Sequence, residues 1–366
     1  MRRGRRQSAW RLAALAGLAC AAASGAVRAD AVNATLYGQI NTSIDYVVAS
    51  APDRQPPSSL QLASNNSRFG FRGAEYIGNG QLVIWQIETG FNADAGGGII
   101  ASRETYLGVE GDWGRLRAGF FLTPYDDMSP IFGNAPTFTT SILSTAALWA
   151  QGGFPKTNGG FDRRTPNSLR FDSADLDGFQ GSLQYSLGEN SEGSSVFGAG
   201  MSWFNGPLET GLAYEYNHKV RGPTLDDWAL TAAAAWNFGP ARIGGVYERL
   251  NYQTPSGTLT RNLWGGSLTV PVGSGTVYAF AARAGEGRGP TDARVGGLTG
   301  GEDSGAWQYE LSFSYPLSSR TILYTGFVGL SNERNASYIF AVNPYTEDSP
   351  TGLRLRGFVL GAVHLF

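Results

Sequence analysis

Few side chains in this sequence are suited to catalysis or to binding a metal ion. The two imidazoles, His218 and His364, lie far apart in the chain. Adjacent carboxylates occur at residues 226–227 and 302–303, but no G-x-S-x-G motif, phosphate-binding loop or metal-spaced His/Cys set accompanies them. We interpret these carboxylates as solvated groups or as ligands of divalent ions at the surface. The sequence predicts that the protein is not an enzyme and needs no cofactor.

The first 29 residues have the pattern of a secretory signal peptide. Residues 1–11 contain five arginines and no acid, residues 12–23 are apolar, and residues 27–29 form a small-x-small cleavage site. Cleavage after Ala31 fits the same rule, and the paired arginines leave twin-arginine export as an alternative. Cys20 is interpreted as part of the signal core, because Gly17 stands where a lipoprotein signal has a large aliphatic residue. We expect one domain over residues 30–366.

The composition bounds the class of protein. Removing residues 1–29 lowers the number of Lys and Arg residues from 28 to 22, against 30 Asp and Glu residues, so the remaining chain has a formal charge of −8. A chain with this negative charge lacks the basic surface that binds nucleic acid. Glycine is abundant (51 of 366 residues), aromatic residues make up 12% and charged residues only 16%. The mean hydropathy of −0.18 is too polar for a helical membrane protein. An exported, glycine-rich, aromatic-rich chain suits an outer-membrane β-barrel.

Alternation of apolar and polar residues repeats along the chain. In residues 34–46, Leu36, Ile40 and Ile44 share one parity, whereas polar side chains occupy most of the other. A period of two with one apolar face is typical of a half-solvated strand. Predicted strands cover residues 34–46, 67–75, 81–91, 103–110, 115–122, 167–174, 179–187, 195–204, 207–217, 227–237, 241–252, 259–270, 276–286, 306–316, 320–332 and 353–366. About sixteen antiparallel strands, with short links alternating with long polar ones, predict an all-β transmembrane barrel.

Residues 121–164 form the longest segment that cannot be interpreted as alternating strand. The segment contains four prolines, two glycine pairs and a small apolar run at residues 142–149. At about forty residues it far exceeds an ordinary hairpin loop. It either folds back into the lumen and narrows it or remains an external surface loop. We expect the inward arrangement.

Four ordered motifs resemble the opening strands of the general porins of Gram-negative bacteria of the neisserial and Burkholderia type. The motifs are TLYG at 35–38, SRFGFRGAEYIGNG at 67–80, IWQIETGFN at 84–92 and YLGVEGDWGRLRAG at 106–119. With the later segments, the resemblance covers most of residues 34–366. It implies a trimeric outer-membrane channel for passive diffusion of small hydrophilic solutes and ions.

The resemblance also implies where the channel is narrowest. In this family the third external loop, here residues 121–164, folds inward and faces arginines on the opposite wall. Motif position assigns Arg68, Arg103 and Arg164 to that constriction. Arg72 is added because it shares parity with Arg68, and Arg170 because it shares parity with Arg164.

The loop differs from the usual family pattern in its charges. Asp126 and Asp127 lie at its start and Asp162 near its end, whereas residues 128–161 contain no acid and one base, Lys156. The family often has an arginine where this chain has Phe120. Arginines that face few carboxylates create a positive local potential despite the negative net charge. We therefore expect a weak to moderate preference for anions.

The resemblance further implies contacts with the membrane and its machinery. The chain ends on Phe366, which resembles the signal read by the barrel-assembly machinery, although the family usually has a basic residue where this chain has Leu365. The carboxylate pairs in predicted external loops are candidates for divalent ions that bridge lipopolysaccharide. Aromatic residues near the strand ends are expected to form girdles at the lipid–water boundary.

Other functions remain open at this point. Aromatic residues of the loop, together with the arginines, are candidates for a binding ladder in a channel specific for an aromatic solute or organic anion. These residues are Phe132, Phe138, Trp149, Phe154 and Phe161. A barrel that serves as a surface adhesin or structural anchor would have a closed lumen. A soluble β-rich periplasmic protein is a more distant alternative.

Overall fold

The computed structural model describes residues 33–52, 56–134, 141–151, 160–188, 193–345 and 350–366. Within these residues, the strands are β1 (Asn33–Ser50), β2 (Ser59–Ser64), β3 (Arg68–Gly78), β4 (Gln81–Phe91), β5 (Gly98–Ile99), β6 (Thr105–Gly111), β7 (Gly114–Leu122), β8 (Arg164–Ser173), β9 (Phe179–Leu187), β10 (Ser195–Asn205), β11 (Leu208–His218), β12 (Asp227–Asn237), β13 (Arg242–Thr254), β14 (Gly257–Val272), β15 (Gly275–Ala284), β16 (Arg294–Val295), β17 (Leu298–Thr299), β18 (Ala306–Pro316), β19 (Thr321–Asn332) and β20 (Arg354–Leu365). The same residues contain no helix long and apolar enough to cross a membrane.

Sixteen of these strands form a closed antiparallel barrel; the exceptions are the short strands β2, β5, β16 and β17. Each long strand pairs with its neighbours in sequence, and β1 pairs with both β3 and β20. At this seam, the backbone N–H groups of Gly38 and Phe366 each donate to the other residue's carbonyl oxygen, at 2.9 and 3.1 Å. The predicted fold class and strand number are confirmed.

The barrel wall places apolar side chains outward and polar side chains inward. On β1, Ile44 is 52% exposed, whereas the next residue, Asp45, is fully buried inside the barrel. Inward polar residues on the same strand include Gln39, Asn41 and Ser43. Because side chains alternate along a strand, this pattern gives a lipid-facing exterior and a polar interior.

The links between strands differ at the two ends of the barrel. Asn79 and Gly80 join β3 and β4 with φ values of 52° and 73°, the left-handed conformation that a two-residue hairpin turn requires. Short links of this kind lie at one end, and most links at the other end are long. The predicted boundaries are mostly accurate, but β1 continues to Ser50, beyond the predicted end at residue 46, and β2 pairs back onto it. Between β15 and β18, β16 and β17 form a separate small hairpin.

The long loop lies inside the barrel, as predicted. Its described part contains α1 (Ser129–Phe132) and short 3-10 helices at Asp126–Met128, Thr145–Ala147 and Trp149–Gln151. The loop and the inward side chains of β11–β15 and β18–β20 form one buried apolar cluster. Its loop members include Tyr125, Met128, Ile131, Phe132, Ile142, Leu143, Leu148, Trp149 and Phe161. Burial of this apolar surface, to which β3–β10 contribute no residue among those described, draws the loop to one side of the lumen.

Candidate pore constriction

The three arginines assigned by motif position come together on one side of the lumen. Arg68 begins β3, Arg103 precedes β6 and Arg164 begins β8. Arg103 and Arg164 lie close enough to Arg68 for their positive charges to repel its guanidinium. The loop packs on the other side of the lumen, against β11–β13 and β18, so these guanidinium groups face the space that it leaves.

Glu88 on β4 holds two of these arginines. Its Oε1 atom accepts a hydrogen bond from Arg103 Nε at 2.5 Å, and its Oε2 atom lies 3.7 Å from Arg68 Nε. The Tyr37 hydroxyl donates to the same carboxylate at 3.0 Å. Glu88 is buried on the inward face and was not among the sequence-predicted site residues. Its charge offsets part of the positive potential of the three arginines, and its contacts fix the positions of Arg68 and Arg103.

Arg72 lies apart from this group. It is four residues beyond Arg68 along β3, and its guanidinium carbon is 4.9 Å from the centre of the Tyr37 ring. A cation over an aromatic face is attracted by the ring quadrupole. Arg72 therefore extends the line of inward cations toward the short-turn end of the barrel.

Arg170 belongs to a second group, nearer the short-turn end. Its guanidinium donates to Asp127 and Asp172 and, at 3.0 Å, to the Leu122 carbonyl. The Arg170 side chain is only 6% exposed, whereas Asp127 is 42% exposed. Arg170 therefore anchors the start of the loop to the wall rather than presenting a free charge.

Two further arginines, absent from the sequence prediction, complete this second group. Arg115 and Arg117 on β7 lie 3.2 and 2.8 Å from Asp172. Their inward parity on a predicted strand was available from the sequence. Their shared carboxylate was not, because it lies on β8 across the long loop.

A β-bulge separates Arg164 from Arg170. The β7–β8 register shifts near Gly119, and Asn167 has a φ of 52°. The inward residues of β8 are Thr165 and Ser168, which are bonded at 2.9 Å, followed by Arg170. Because a bulge shifts the alternation between Arg164 and Arg170, their even spacing is not what places Arg164 near Arg68 and Arg103.

Two carboxylates at the start of the loop, Asp126 and Asp127, lie near arginines of the wall. Burial, and the neighbouring charge of Asp127, raise the pKa of Asp126 to about 7. Burial and the charge of Asp126 raise the pKa of Asp162 well above its usual range. The charge of Arg164 acts in the opposite direction on Asp126. The charge of Asp126, near Arg164, therefore depends on pH near neutrality.

The opposite side of the loop is held by an ion pair that the sequence did not reveal. Glu248 on β13 is bonded to Arg261 on β14, and both side chains are fully buried. Glu248 also accepts hydrogen bonds from the Tyr125 hydroxyl at 2.8 Å and from the Ala150 N–H at 2.6 Å. Arg261 donates to the Leu148 carbonyl at 2.8 Å. One pair thus holds the loop at two places, near its start at Tyr125 and at Leu148 and Ala150.

The aromatic residues considered for a substrate ladder are packed away from the lumen. Phe132, Trp149 and Phe161 are fully or almost fully buried against the wall. Trp149 stacks on Tyr125 with ring centres 5.3 Å apart, and its indole N–H donates to Thr231 Oγ1 at 3.1 Å. Phe138 and Phe154 lie outside the described residues. The three described rings therefore serve to pack the loop.

This closed barrel, with an inward loop opposite an arginine wall, defines a membrane channel. The profile of the Gram-negative porin family matches residues 12–335, and the chain belongs to that family. It is 25% identical over 360 residues to outer membrane porin protein 32 of Delftia acidovorans, covering 95% of this chain and 94% of that protein. It is 28% identical over 227 residues to major outer membrane protein P.IB of Neisseria meningitidis serogroup B, covering 57% of this chain and 60% of that protein.

Solved structures show the same fold. An anion-selective porin from Comamonas acidovorans superposes with a TM-score of 0.76 at 22% identity, covering 92% of this chain and all of that one. The protein is therefore an outer-membrane porin of a Gram-negative bacterium, a passive diffusion channel for small solutes and not an enzyme. The predicted family, fold, function and location are confirmed.

Proposed function

We propose that this porin prefers anions and that its constriction is formed by Arg68, Arg103 and Arg164. The observation that carries the proposal is that Arg68 and Arg103 share one carboxylate, Glu88, with Arg164 nearby, on the side of the lumen that the loop leaves uncovered. Arg72 extends the positive wall, Arg170 anchors the start of the loop beside it through Asp127, and Asp126 borders it from the loop. Positive groups lining a narrow aqueous passage raise the local concentration of small anions.

Bilayer recording of the refolded protein tests this proposal. Across a KCl gradient, the wild-type reversal potential should have the sign for anion preference, and Arg103→Ala should shift it toward zero. Arg320→Ala is a matched control, because Arg320 is exposed on a short turn outside the lumen. Cation preference, or equal shifts in both variants, would contradict the arginine constriction. Absence of conductance would favour a structural barrel.

The assembled protein is proposed to be a homotrimer. A group of apolar side chains lies exposed on β2, which pairs with the outer end of β1, and at the end of β5. The group consists of Leu60, Leu62, Ile99 and Ile100. A similar solved structure, OmpT of Vibrio cholerae, is described in a trimer form. Light scattering of the intact barrel in detergent should give the mass of three chains, and the mass of one chain would contradict the homotrimer.

Processing and assembly complete the proposal. Residues 1–29 are removed on export, and residues 30–366 form one barrel domain. The barrel-assembly machinery recognises the last strand through Phe366, whose ring covers Gly38 at the seam. Lipopolysaccharide surrounds the outer rim. Mass spectrometry of the mature N-terminus tests the removal of residues 1–29. Assembly rates of Phe366→Ala in reconstituted machinery test the recognition of the last strand.

A further inference from the structure

One segment of the constriction loop, residues 141–151, is buried throughout its length. Every residue in it is buried, and Leu148 and Trp149 are at most 1% exposed. A barrel of sixteen strands leaves a water-filled lumen, so a loop that lies on its wall should keep one face in contact with water. This segment has no such face, so other parts of the chain cover it.

One of the covering elements is a hairpin in the long link between β15 and β18. Its two short strands are β16 and β17, and residues 287–301 are termed the cap hairpin. Ala293, Val295 and Leu298 are at most 5% exposed and belong to the same apolar cluster as the constriction loop. The Gln151 side-chain amide donates to the Val295 carbonyl oxygen at 3.5 Å, so the hairpin contacts the loop directly.

The cap hairpin folds as a unit with one apolar face. Gly296 and Gly297 form its two-residue turn, in which Gly296 has a φ of 56°. Arg294 alternates with the buried residues beside it and is exposed. At the base of the hairpin, the Gly301 N–H donates to the Gly287 carbonyl oxygen at 2.8 Å. The turn, the alternation and the closed base together direct the apolar face toward the constriction loop.

The last external loop, between β19 and β20, covers the same half of the lumen. Its residues 336–340 are all buried. The Ser337 N–H donates to the Gly297 carbonyl oxygen at 3.1 Å, which joins this loop to the cap hairpin. The Tyr338 hydroxyl accepts a hydrogen bond from Arg261 at 3.3 Å, and the same guanidinium bonds to the constriction loop. The three loops therefore form one packed layer.

The arginine side of the lumen is open by comparison. Among the described residues, β3–β10 contribute none to the apolar cluster that the three loops share. The Arg68 and Arg103 side chains remain 28% and 18% exposed. The free passage therefore runs along the arginines, and the packed layer limits its width from the other side.

We propose that the cap hairpin sets the upper size of the solutes that this porin admits. It covers the constriction loop on the side of the long links, so the open cross-section is smaller than the constriction loop alone would leave. A narrower opening excludes larger solutes whatever their charge. The proposal depends on the channel function of the porin and not on its proposed preference for anions.

Liposome swelling with neutral sugars of increasing size tests the proposal, because uncharged solutes do not respond to the charge of the arginines. The probes are arabinose, glucose, sucrose and raffinose. In the main variant, a short glycine-rich link replaces residues 287–303. Ala284 and Ala306 are partners in register, so the link joins strand ends that already lie side by side. We expect the swelling rate with sucrose, relative to arabinose, to rise severalfold and the single-channel conductance to increase.

A point variant tests the packing of the cap hairpin without removing any residue. Leu298→Asn places a polar amide in the apolar cluster, so it should loosen the hairpin and raise the sucrose-to-arabinose ratio by a smaller factor. Leu225→Asn is the matched control, because it makes the same change at a partly buried leucine of another external loop, outside the cluster. Circular dichroism of each variant confirms that the barrel has folded.

Two outcomes would overturn the proposal. An unchanged sucrose-to-arabinose ratio in the folded deletion variant would assign the size limit to the constriction loop alone. Equal ratios in Leu298→Asn and Leu225→Asn would show that packing of the cap hairpin does not control the opening.

Reversal potentials recorded on the same proteins separate this proposal from the arginine constriction. The deletion variant should keep the sign of the wild-type ion preference, because it leaves Arg68, Arg103 and Arg164 in place. A wild type without anion preference, whose deletion variant still admits larger sugars, would refute the arginine constriction and leave the size limit standing.

Discussion

Glu248 and Arg261 form an ion pair inside the barrel in which neither side chain is exposed to solvent. The pair sits behind the constriction loop and bonds to Tyr125, Leu148 and Ala150. Ala150 and Gln151 both have a φ of 58°, which is unfavourable for residues with a Cβ atom. The hydrogen bond from the Ala150 N–H to Glu248 offsets part of that cost.

Removing one member of this pair should loosen the loop. We expect Glu248→Gln to lower the free energy of unfolding by about 3–5 kcal/mol, because it leaves the buried Arg261 charge uncompensated. Single-channel noise should rise as the loop leaves the wall. Denaturant unfolding measures the first effect and bilayer recording the second.

Two variants control for this effect. Glu302→Gln makes the same chemical change at an exposed loop position and should leave stability and noise unchanged. Combining Glu248→Leu with Arg261→Met should recover much of the lost stability, because no buried charge remains. A single variant as stable as the wild type would show that the pair does not hold the loop.

Glu88→Gln should increase the preference for anions. The substitution removes the negative charge that Arg68 and Arg103 share, while an amide oxygen still accepts a hydrogen bond. The reversal potential across a KCl gradient should move further in the anion direction. Glu75→Gln, exposed on the outside of β3, is the matched control. Unchanged selectivity in Glu88→Gln would place the narrowest point elsewhere.

Anion preference should rise as the pH falls through neutrality. The pKa of Asp126 is raised to about 7, so the carboxylate is charged at pH 8 and largely neutral at pH 5. Protonation removes a negative charge that faces Arg164 and leaves the guanidinium groups unchanged. Because the folded state holds this proton more tightly than the unfolded chain does, the same change favours folding at the lower pH.

Reversal potentials at pH 8 and pH 5 measure this effect. Asp126→Asn should show the low-pH selectivity at both values, since it mimics the neutral acid. A pH dependence that persists in Asp126→Asn would assign the titration to another group.

Small residues on the inner wall should be needed for the loop to pack against it. A Cβ atom on Gly357 would lie 2.6 Å from Ile142 Cδ1, so Gly357→Val should force the loop off β20 at a cost of about 1–3 kcal/mol. We expect lower thermal stability and altered conductance. At Gly181 on β9, the nearest atom to an added Cβ is Phe179 Cε1, at 3.9 Å, so Gly181→Val should be tolerated. Equal effects of the two variants would exclude crowding by the loop.

The strand pattern of this barrel could be predicted from the sequence. Alternation is a local property, and each hairpin pairs segments that are neighbours in the chain, so β10–β15 were placed to within a few residues. The long segment between β7 and β8 could be assigned to the lumen only by resemblance, since its length alone was compatible with an external loop.

The charge partners could not be predicted, because they depend on distances across the lumen. Arg103 was assigned from a motif, yet its carboxylate, Glu88, lies on another strand, and Glu248 and Arg261 gave no local signal of their contact with the loop. The bulge at Asn167 shifted the alternation between Arg164 and Arg170. The sequence by itself determined which residues alternate and hence the barrel. The tertiary structure decided which inward charges meet, because the curvature of the wall and the packing of the loop bring together residues that are remote in sequence.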